Sequence, residues 1–300
     1  MNAKEATLTD SRRRRFVSVI IPVHNAAATL GQQLNALNTQ VFNGQWEIVA
    51  VDNCSTDDSI AVIRQYQQHM PHLRLVQADE RKTAAYARNV GARAAKGGVF
   101  LFCDADDVVA PGWLTALAEA LEQHEFVAST MEDKILNEGK AKRSDDYGNW
   151  ATRKNLSFLP FAAGALMALS REAFERVGGF DESTPIGEDV EFSWRLQLQG
   201  YALYPVPTAV VHYRYRETLQ AVWKQTVNYG EAHVYLYKRF ASCGMPCPSV
   251  RKVYWTYKSL ITRLPHLLWG DEAQKGEMLR MAAICYGRLR GSLRYRTVYL

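Results

Sequence analysis

The sequence predicts an α/β protein built on a mainly parallel sheet flanked by helices, and three observations predict it. Short β-branched runs alternate with helical segments through the first hundred residues, the order expected when each parallel crossover contains a helix. The 300-residue chain is 47% hydrophobic and 22% charged, enough for a large core without disulfide or metal staples. Polar residues also recur just after the apolar strands, where open α/β sheets present ligand sites. The same composition excludes global disorder and a collagen-like repeat. No run approaches the roughly 18 apolar residues of a spanning helix, which excludes a multi-pass membrane protein.

The elements follow in order. Val17–Pro22 is short and β-branched, a buried strand; Ala26–Leu37 is helical in composition. Glu47–Val51 is the second strand, closed by the turn-rich Asp52–Asp57. Ser59–His69 is a helix with Ile60, Ile63 and Tyr66 on one face, and Leu73–Val76 is the third strand. Thr83–Ala95 is an Ala-rich helix ending near Gly97, and Val99–Cys103 is the fourth strand. Trp113–His124 is a helix. Met131–Phe158 is polar and aperiodic, a long loop or extension of the kind that forms lids and binding loops. Ser170 is placed to cap a helix through Val177, stopped by Gly178 and Gly179. Val190–Gln199 is a further helix and Ala209–Tyr213 a strand; from Thr218 the chain is helical to its end. The expected organisation is a basic, flexible N-terminus (1–15), a catalytic domain (16–216) and a helical extension (217–300).

Charge is unevenly placed. Residues 251–300 hold ten Lys/Arg against three Asp/Glu, +7, so the rest of the +5 chain is slightly acidic at −2. A second small basic cluster is Arg12–Arg15. Basic tails attract polyanions, or are simply a solvated surface with no partner. Trp255, Leu260, Ile261, Leu264, Leu267, Leu268 and Trp269 lie among those cations, which suits a helix in an anionic membrane interface. Packing against the body or a partner subunit in a homo-oligomer is the alternative. Nucleic acid is the poorer partner, because no binding module accompanies the charge. The five cysteines form no disulfide framework or zinc pattern, and Phe16–Val23 is too short for a signal peptide. The expected location is cytoplasmic, with peripheral attachment at the inner face of the membrane.

Several clusters bear chemistry. Asp104-Ala-Asp106 ends an apolar strand, and acids two apart share one side of an extended chain, within reach of one hard divalent ion. The same pair also suits a turn with acids capping the next helix. Glu188-Asp189 opens a helix; a carboxylate there serves as a general base or merely favours the helix dipole. Glu191 and Arg195 at i,i+4 suit simple helix stabilisation. His212, followed by Tyr213, Arg214 and Arg216, suits a metal ligand, a diphosphate contact or a structural role. Arg81, Lys82 and Arg88 flank a helix start, where phosphate contacts form readily, though the same residues also suit a solvated helix face.

Val17-Ser-Val-Ile-Ile-Pro-Val-His-Asn25, Glu47-Ile-Val-Ala-Val-Asp-Asn-Cys-Ser-Thr-Asp57, Ala87-Arg-Asn-Val-Gly91 and Phe102-Cys-Asp-Ala-Asp-Asp107 together resemble the family 2 glycosyltransferases of GT-A fold. Gly164–Met167, Arg171–Glu182 and Gly187–Arg195 continue the resemblance, which covers roughly residues 16–215. Each motif is short; seven in one order are specific.

The resemblance implies a nucleoside-diphosphate-sugar donor, Mg²⁺ or Mn²⁺, and inverting transfer to a glycan, lipid-linked or small-molecule acceptor. It implies that Pro22, Val23, His24, Asn25, Asp52 and Asn53 hold base and ribose, with Asp52 accepting an imide N–H of UDP or dTDP. It adds Asp104 and Ala105 to the nucleotide site, beside Lys82 and Arg88, and Asp104 and Asp106 to the metal site, with His212 as a further candidate ligand. Asp189 matches the catalytic base, and Gly164, Glu188, Trp194 and Arg195 match positions near the acceptor and diphosphate. The chain departs from the family at His24, where Tyr is common, at Cys54, where Gly is usual, and at Arg81 and Thr83, in place of Asn and Gly. Rival readings are a sugar-nucleotidyltransferase, expected to carry a Gly-rich basic loop where His24–Ala27 stands, and a non-catalytic nucleotide-sugar-binding protein.

Overall fold

A computed structural model describes residues 16–138 and 155–300. The basic cluster Arg12–Arg15 and residues 139–154 of the long polar segment lie outside the described residues.

Eight strands form one mixed sheet: β1 (Phe16–Val23), β2 (Gln45–Asp52), β3 (Leu73–Gln77), β4 (Val99–Phe102), β5 (Val108–Val109), β6 (Phe126–Glu132), β7 (Met167–Ser170) and β8 (Tyr204–His212), in spatial order β3-β2-β1-β4-β7-β6-β8-β5. The β3-β2-β1-β4 half is wholly parallel. Its crossovers carry α1 (Leu30–Asn38), α2 (Ser59–Gln67) and α3 (Ala84–Ala94). β7 runs antiparallel to both β4 and β6, β8 is parallel to β6, and β5 is antiparallel to β8. The sheet is therefore less parallel than the chain's first hundred residues suggest. The fully buried β7 falls in a stretch of small residues with no strand periodicity of its own, and it forms because β4 and β6 each offer it an edge.

Register sets the site. β1 ends with Val23 opposite Asp52, and Ile20 of β1 stands opposite Phe102 of β4. The chain builds leftward from β1 to β3, then returns to the other side of β1 to form β4. That reversal opens a crevice at the carboxyl ends of β1 and β4. His24-Asn25, Asp52-Asn53 and Asp104–Asp107 follow the three strand ends that border it.

α3 sits close over β1 and β2 because of Gly91. A Cβ there would lie 2.5 Å from Ile20 Cγ2 and 2.9 Å from Val51 Cγ2, closer than carbon atoms can pack. Thr83 caps α3, its Oγ1 accepting the Tyr86 N–H at 3.2 Å, which gives this departure from the family a local purpose. α1 starts later than its composition suggests. Ala26 and Ala27 donate their N–H groups to Ser59 Oγ and Asp57 Oδ2, both at 2.9 Å, so the first turn is spent on tying two loops together. Cys54 adopts φ 57°, the left-handed region where glycine is strain-free; the family's usual glycine suits this turn, and the cysteine occupies it at a conformational cost.

The second half adds α4 (Trp113–Ala120), α5 (Arg171–Val177) and α6 (Glu188–Leu198). Ser170 caps α5 through the Ala173 N–H, and Gly178 ends it at φ 84°, as the sequence predicts. The extension is α7 (Leu219–Phe240), α8 (Val250–Thr262), α9 (His266–Trp269) and α10 (Glu272–Tyr295). α7 and α10 cross with Gly230 and Gly287 in contact; a Cβ on Gly287 would lie 2.9 Å from Gly230 Cα. Glu231 is fully buried between them and accepts from Arg290 Nε at 2.6 Å and Arg294 Nη1 at 2.8 Å. α7 also packs on α6: Arg239 pairs with buried Glu191 at 2.8 Å, and Phe240 meets the Trp194 ring edge-on at 5.3 Å. One hydrophobic cluster joins Val17 of β1 to Val234, Phe240 and Tyr299, so the extension shares the core of the sheet.

Candidate active site

A cavity of about 680 Å³ opens over the carboxyl ends of β1, β2 and β4. Its wall includes Pro22, Val23, His24, Asn25 and Asn53 from the first two strand ends, Lys82 and Arg88 from α3 and the loop before it, and Asp104, Ala105 and Asp106. The structure thus brings ten of the sequence-predicted positions to one cleft. Thr29 and the segment Arg214–Glu217 also line it.

Several of these side chains also hold loops. His24 Nδ1 lies 2.8 Å from the Asn53 carbonyl oxygen. Asn53 Nδ2 donates to the carbonyls of Ala78 and Arg81 at 2.6 and 2.7 Å. Asn25 Oδ1 accepts the Thr56 N–H at 2.7 Å. Asp52 is buried behind the wall, and its Oδ1 has no hydrogen-bond partner among the described residues.

Asp104, Asp106 and Asp107 each place a carboxylate oxygen within 4.8 Å of the others. Like charges this close are costly unless compensated. Burial, then Asp104, push Asp106 up, and Arg216 opposes the shift from 2.8 Å. Burial, then Asp104 and Asp106, push Asp107 well above the usual carboxylate range; its Oδ1 accepts the Arg214 N–H at 3.0 Å. Arg88 and Arg216 pair with Asp104 and Asp106, one cation fewer than the three carboxyl groups, and three hard oxygens are a donor set that suits Mg²⁺ or Mn²⁺.

Arg88 is the centre of the electrostatics. Its guanidinium is 5% exposed and donates to Asp104 Oδ1 and to Glu188 Oε1, each at 3.0 Å. Burial disfavours its charge, but Asp104 and Glu188 more than compensate and raise its pKa. Gly164 makes room for it: a Cβ there would lie 2.6 Å from Arg88 Cζ. Gly164 also donates its N–H to Asp189 Oδ2 at 3.0 Å, and Asp189 Oδ1 accepts the N–H of Val190 at 2.8 Å. Burial, then the charge of Glu188, raise Asp189 to about 6, against the pull of Arg88 and these two N–H groups. Glu188, Asp189 and Gly164 therefore stand one layer behind the cavity wall, joined to it through Arg88.

Three predicted positions lie elsewhere. Trp194 is fully buried in the core and donates Nε1–H to the Leu159 carbonyl at 3.1 Å. Arg195 grips Glu191 at 2.6 Å and caps the end of α5 through the carbonyls of Val177 and Gly179; this is the helix-stabilising alternative that its i,i+4 spacing allowed. His212 sits on β8 opposite Val108 with Nδ1 2.9 Å from Glu132 Oε2, outside the three-carboxylate cluster. Sequence reasoning placed no metal at Asp107 and did not foresee that Arg214 and Arg216 wall the cleft. The only signal was the third acid of Asp104–Asp107 and the two arginines after His212.

The description "Glycosyl transferase family 2" matches residues 18–178, and "Glycosyl transferase family group 2" matches residues 99–269. The chain is 26% identical over 276 residues to the glycosyltransferase AglE of Haloferax volcanii, across 89% of this chain and 88% of that one. The human polypeptide N-acetylgalactosaminyltransferase 6 is longer: at 29% identity, the match spans 66% of this chain and 37% of that protein. Among solved structures, the mannosyltransferase PcManGT of Pyrobaculum calidifontis, in complex with GDP-Man and Mn²⁺, superposes with a TM-score of 0.63 at 21% identity, covering 92% of this chain and 86% of that one. S. aureus TarS 1-349 in complex with UDP-GlcNAc gives 0.56 at 16% identity, covering 95% and 93%. The shared architecture is the GT-A fold.

Proposed function

The chain belongs to glycosyl transferase family 2, and from that premise we propose a metal-dependent, inverting transfer of a sugar from a nucleoside diphosphate to an acceptor hydroxyl. One observation carries the reading. Asp104 and Asp106 line a cavity at the sheet's switch point with Asp107 buried beside them, and a separate carboxylate, Asp189, lies behind the wall with its proton affinity raised. Two acidic sites in two environments suit two jobs.

Asp104, Asp106 and Asp107 are the residues to hold Mg²⁺ or Mn²⁺. Bound there, the ion would neutralise charge on the departing diphosphate. Lys82 and Arg216 are the cleft's cations for the same phosphates. Pro22, Val23, His24 and Asn25 form the wall for the nucleoside, with Asn53 fixing the loops behind it. Asp52 Oδ1, unpartnered but buried behind that wall, would accept a base N–H only where the nucleoside opens the wall to it, a contact that would favour UDP or dTDP. Arg88 ties Asp104 to Glu188 and so fixes donor and acceptor sides relative to each other. Asp189, ionised, takes the proton of the acceptor hydroxyl. Attack from the face opposite the leaving group inverts the anomeric centre. Residues 16–216 carry this chemistry, and 217–300 serve as support and attachment. No helix among the described residues is long and apolar enough to cross a membrane, and we place the enzyme in the cytoplasm, peripheral to a membrane.

The nucleotidyltransferase reading finds less support. The N–H groups of Ala26 and Ala27 after β1 are engaged by Ser59 and Asp57, where a phosphate-cradling loop would keep such groups directed at ligand.

A panel of nucleotide sugars with Mn²⁺ and candidate glycan, lipid-linked and small-molecule acceptors tests the reading. The expected result is release of nucleoside diphosphate and, by NMR of the product, an anomeric configuration opposite to the donor's. Retention would overturn inversion. Nucleotide binding without transfer to any acceptor would favour the binding-protein alternative.

A further inference from the structure

The basic tail divides into two parts with different fates. In α10, Arg290 and Arg294 are engaged by buried Glu231, and Arg288 lies 3.3 Å from His233 Nδ1. That charge is part of the fold. The segment 250–269 is different: it holds four Lys/Arg and no Asp or Glu. Arg263 pairs with Glu277 at 2.6 Å, while Arg251, Lys252 and Lys258 are exposed.

The half-buried residues of α8 are Val253, Thr256, Tyr257, Ser259 and Leu260, and all but Ser259 are spaced three and four apart along one face. On the other side Tyr254 is 59% exposed, Trp255 52% and Ile261 65%. The outward apolar run continues through Leu264, Leu267, Leu268 and Trp269, the last two 73% and 81% exposed. Seven large apolar side chains open to solvent within sixteen residues are far from the single scattered cases normal on a monomer. Lys258 Nζ stands 4.6 Å from the Trp255 ring centroid, so a cation and an indole occupy the same outer face. Tryptophans and cations without acids match the layered chemistry of a bilayer surface, apolar below and anionic at the headgroups.

We propose that α8 and α9 form a docking elbow that lies in the interface of an anionic membrane. Trp255, Leu268 and Trp269 enter at headgroup depth, and Arg251, Lys252 and Lys258 meet the lipid charge. Each cation near such a surface multiplies affinity about fivefold, so the lipid's net charge decides binding. This surface is separate from the cleft and does not depend on which sugar is transferred.

The full chain is floated with phosphatidylcholine vesicles and with vesicles in which phosphatidylglycerol replaces part of the lipid. The expected result is flotation with the anionic vesicles only, weakened by salt. The double substitution Trp255→Ser and Trp269→Ser is expected to cut the bound fraction at least about tenfold. Both side chains are more than half exposed, so circular dichroism and melting should match the parent. Removing residues 251–300 would strip Glu231 of both arginines, so surface substitution is the cleaner test. Absence of flotation with anionic vesicles overturns the proposal, and so does undiminished flotation of the double variant. A concentration-dependent dimer that the double variant abolishes, with no vesicle binding, would assign the face to a second copy and also overturn it.

Discussion

Asp189→Asn is expected to lower kcat/KM by about 10³-fold while leaving nucleotide affinity nearly unchanged. Asn keeps the volume and can still accept the Gly164 N–H that holds Asp189 at 3.0 Å, though not also the Val190 N–H, so the backbone of the site should stay largely in place. What is lost is the basic oxygen. The pH profile gives a second reading of the same role. Burial and Glu188 raise Asp189 to about 6, so activity of the parent should rise with pH through that value and level off above it, while the variant's residual activity loses that step. Stability has the opposite sign. A carboxyl with a raised folded pKa holds its proton more tightly in the native state, so its stabilising contribution is full below the unfolded pKa and lost as pH rises through about 6. The variant lacks this loss and should melt no lower than the parent at alkaline pH. An Asn variant with normal turnover would remove Asp189 from the mechanism.

Arg88→Met is expected to cost about 3–5 kcal/mol of stability and to abolish transfer. The reason is the asymmetry of buried pairs: removing one partner leaves the others charged and uncompensated. Arg88 has two partners, Asp104 and Glu188, both at 3.0 Å, and is itself 5% exposed. Arg88→Lys keeps the charge but not the two-pronged geometry, and should recover stability in part while activity stays low. Gly164→Ala is the companion case. Its Cβ would lie 2.6 Å from Arg88 Cζ, so it should displace the guanidinium without deleting it. Urea unfolding and turnover of the three variants together separate loss of charge from loss of position. A stable, active Arg88→Met would show that the network is dispensable.

The parallel half of the sheet was legible in the sequence because its signals are local. β1, β2 and β4 are mostly apolar runs, and each is closed or followed by polar residues that the register then aligns. β7 was not legible, since its pairing with β4 brings together Val99 and Ser170, far apart in the chain. The two-residue spacing of Asp104 and Asp106 pointed to one ion, but the chain turns after β4, and that turn brings Asp107 into the cluster as well. Arg214 and Arg216 could be placed at the cleft only by the return of β8 to the sheet between β6 and β5. Trp194 and Arg195 follow the Glu188-Asp189 motif closely in sequence, yet five and six residues along a helix from Asp189 rotate a side chain well away from the face of Asp189. Trp194 points into the core and Arg195 to the end of α5. The resemblance implied positions near the acceptor and diphosphate for both, and neither lines the cleft.

The central claim is that the cleft binds a nucleoside diphosphate with a divalent ion held by the Asp104–Asp106–Asp107 cluster. Calorimetric titration with UDP and with GDP, with and without Mn²⁺, on the parent and on Asp106→Ala tests it most directly. The account predicts that Mn²⁺ tightens binding of the preferred nucleotide by at least about tenfold in the parent, as expected when a cation bridges carboxylates and phosphate, and gives no such gain in Asp106→Ala. Equal affinity with and without Mn²⁺, or an undiminished metal effect in the variant, would contradict it.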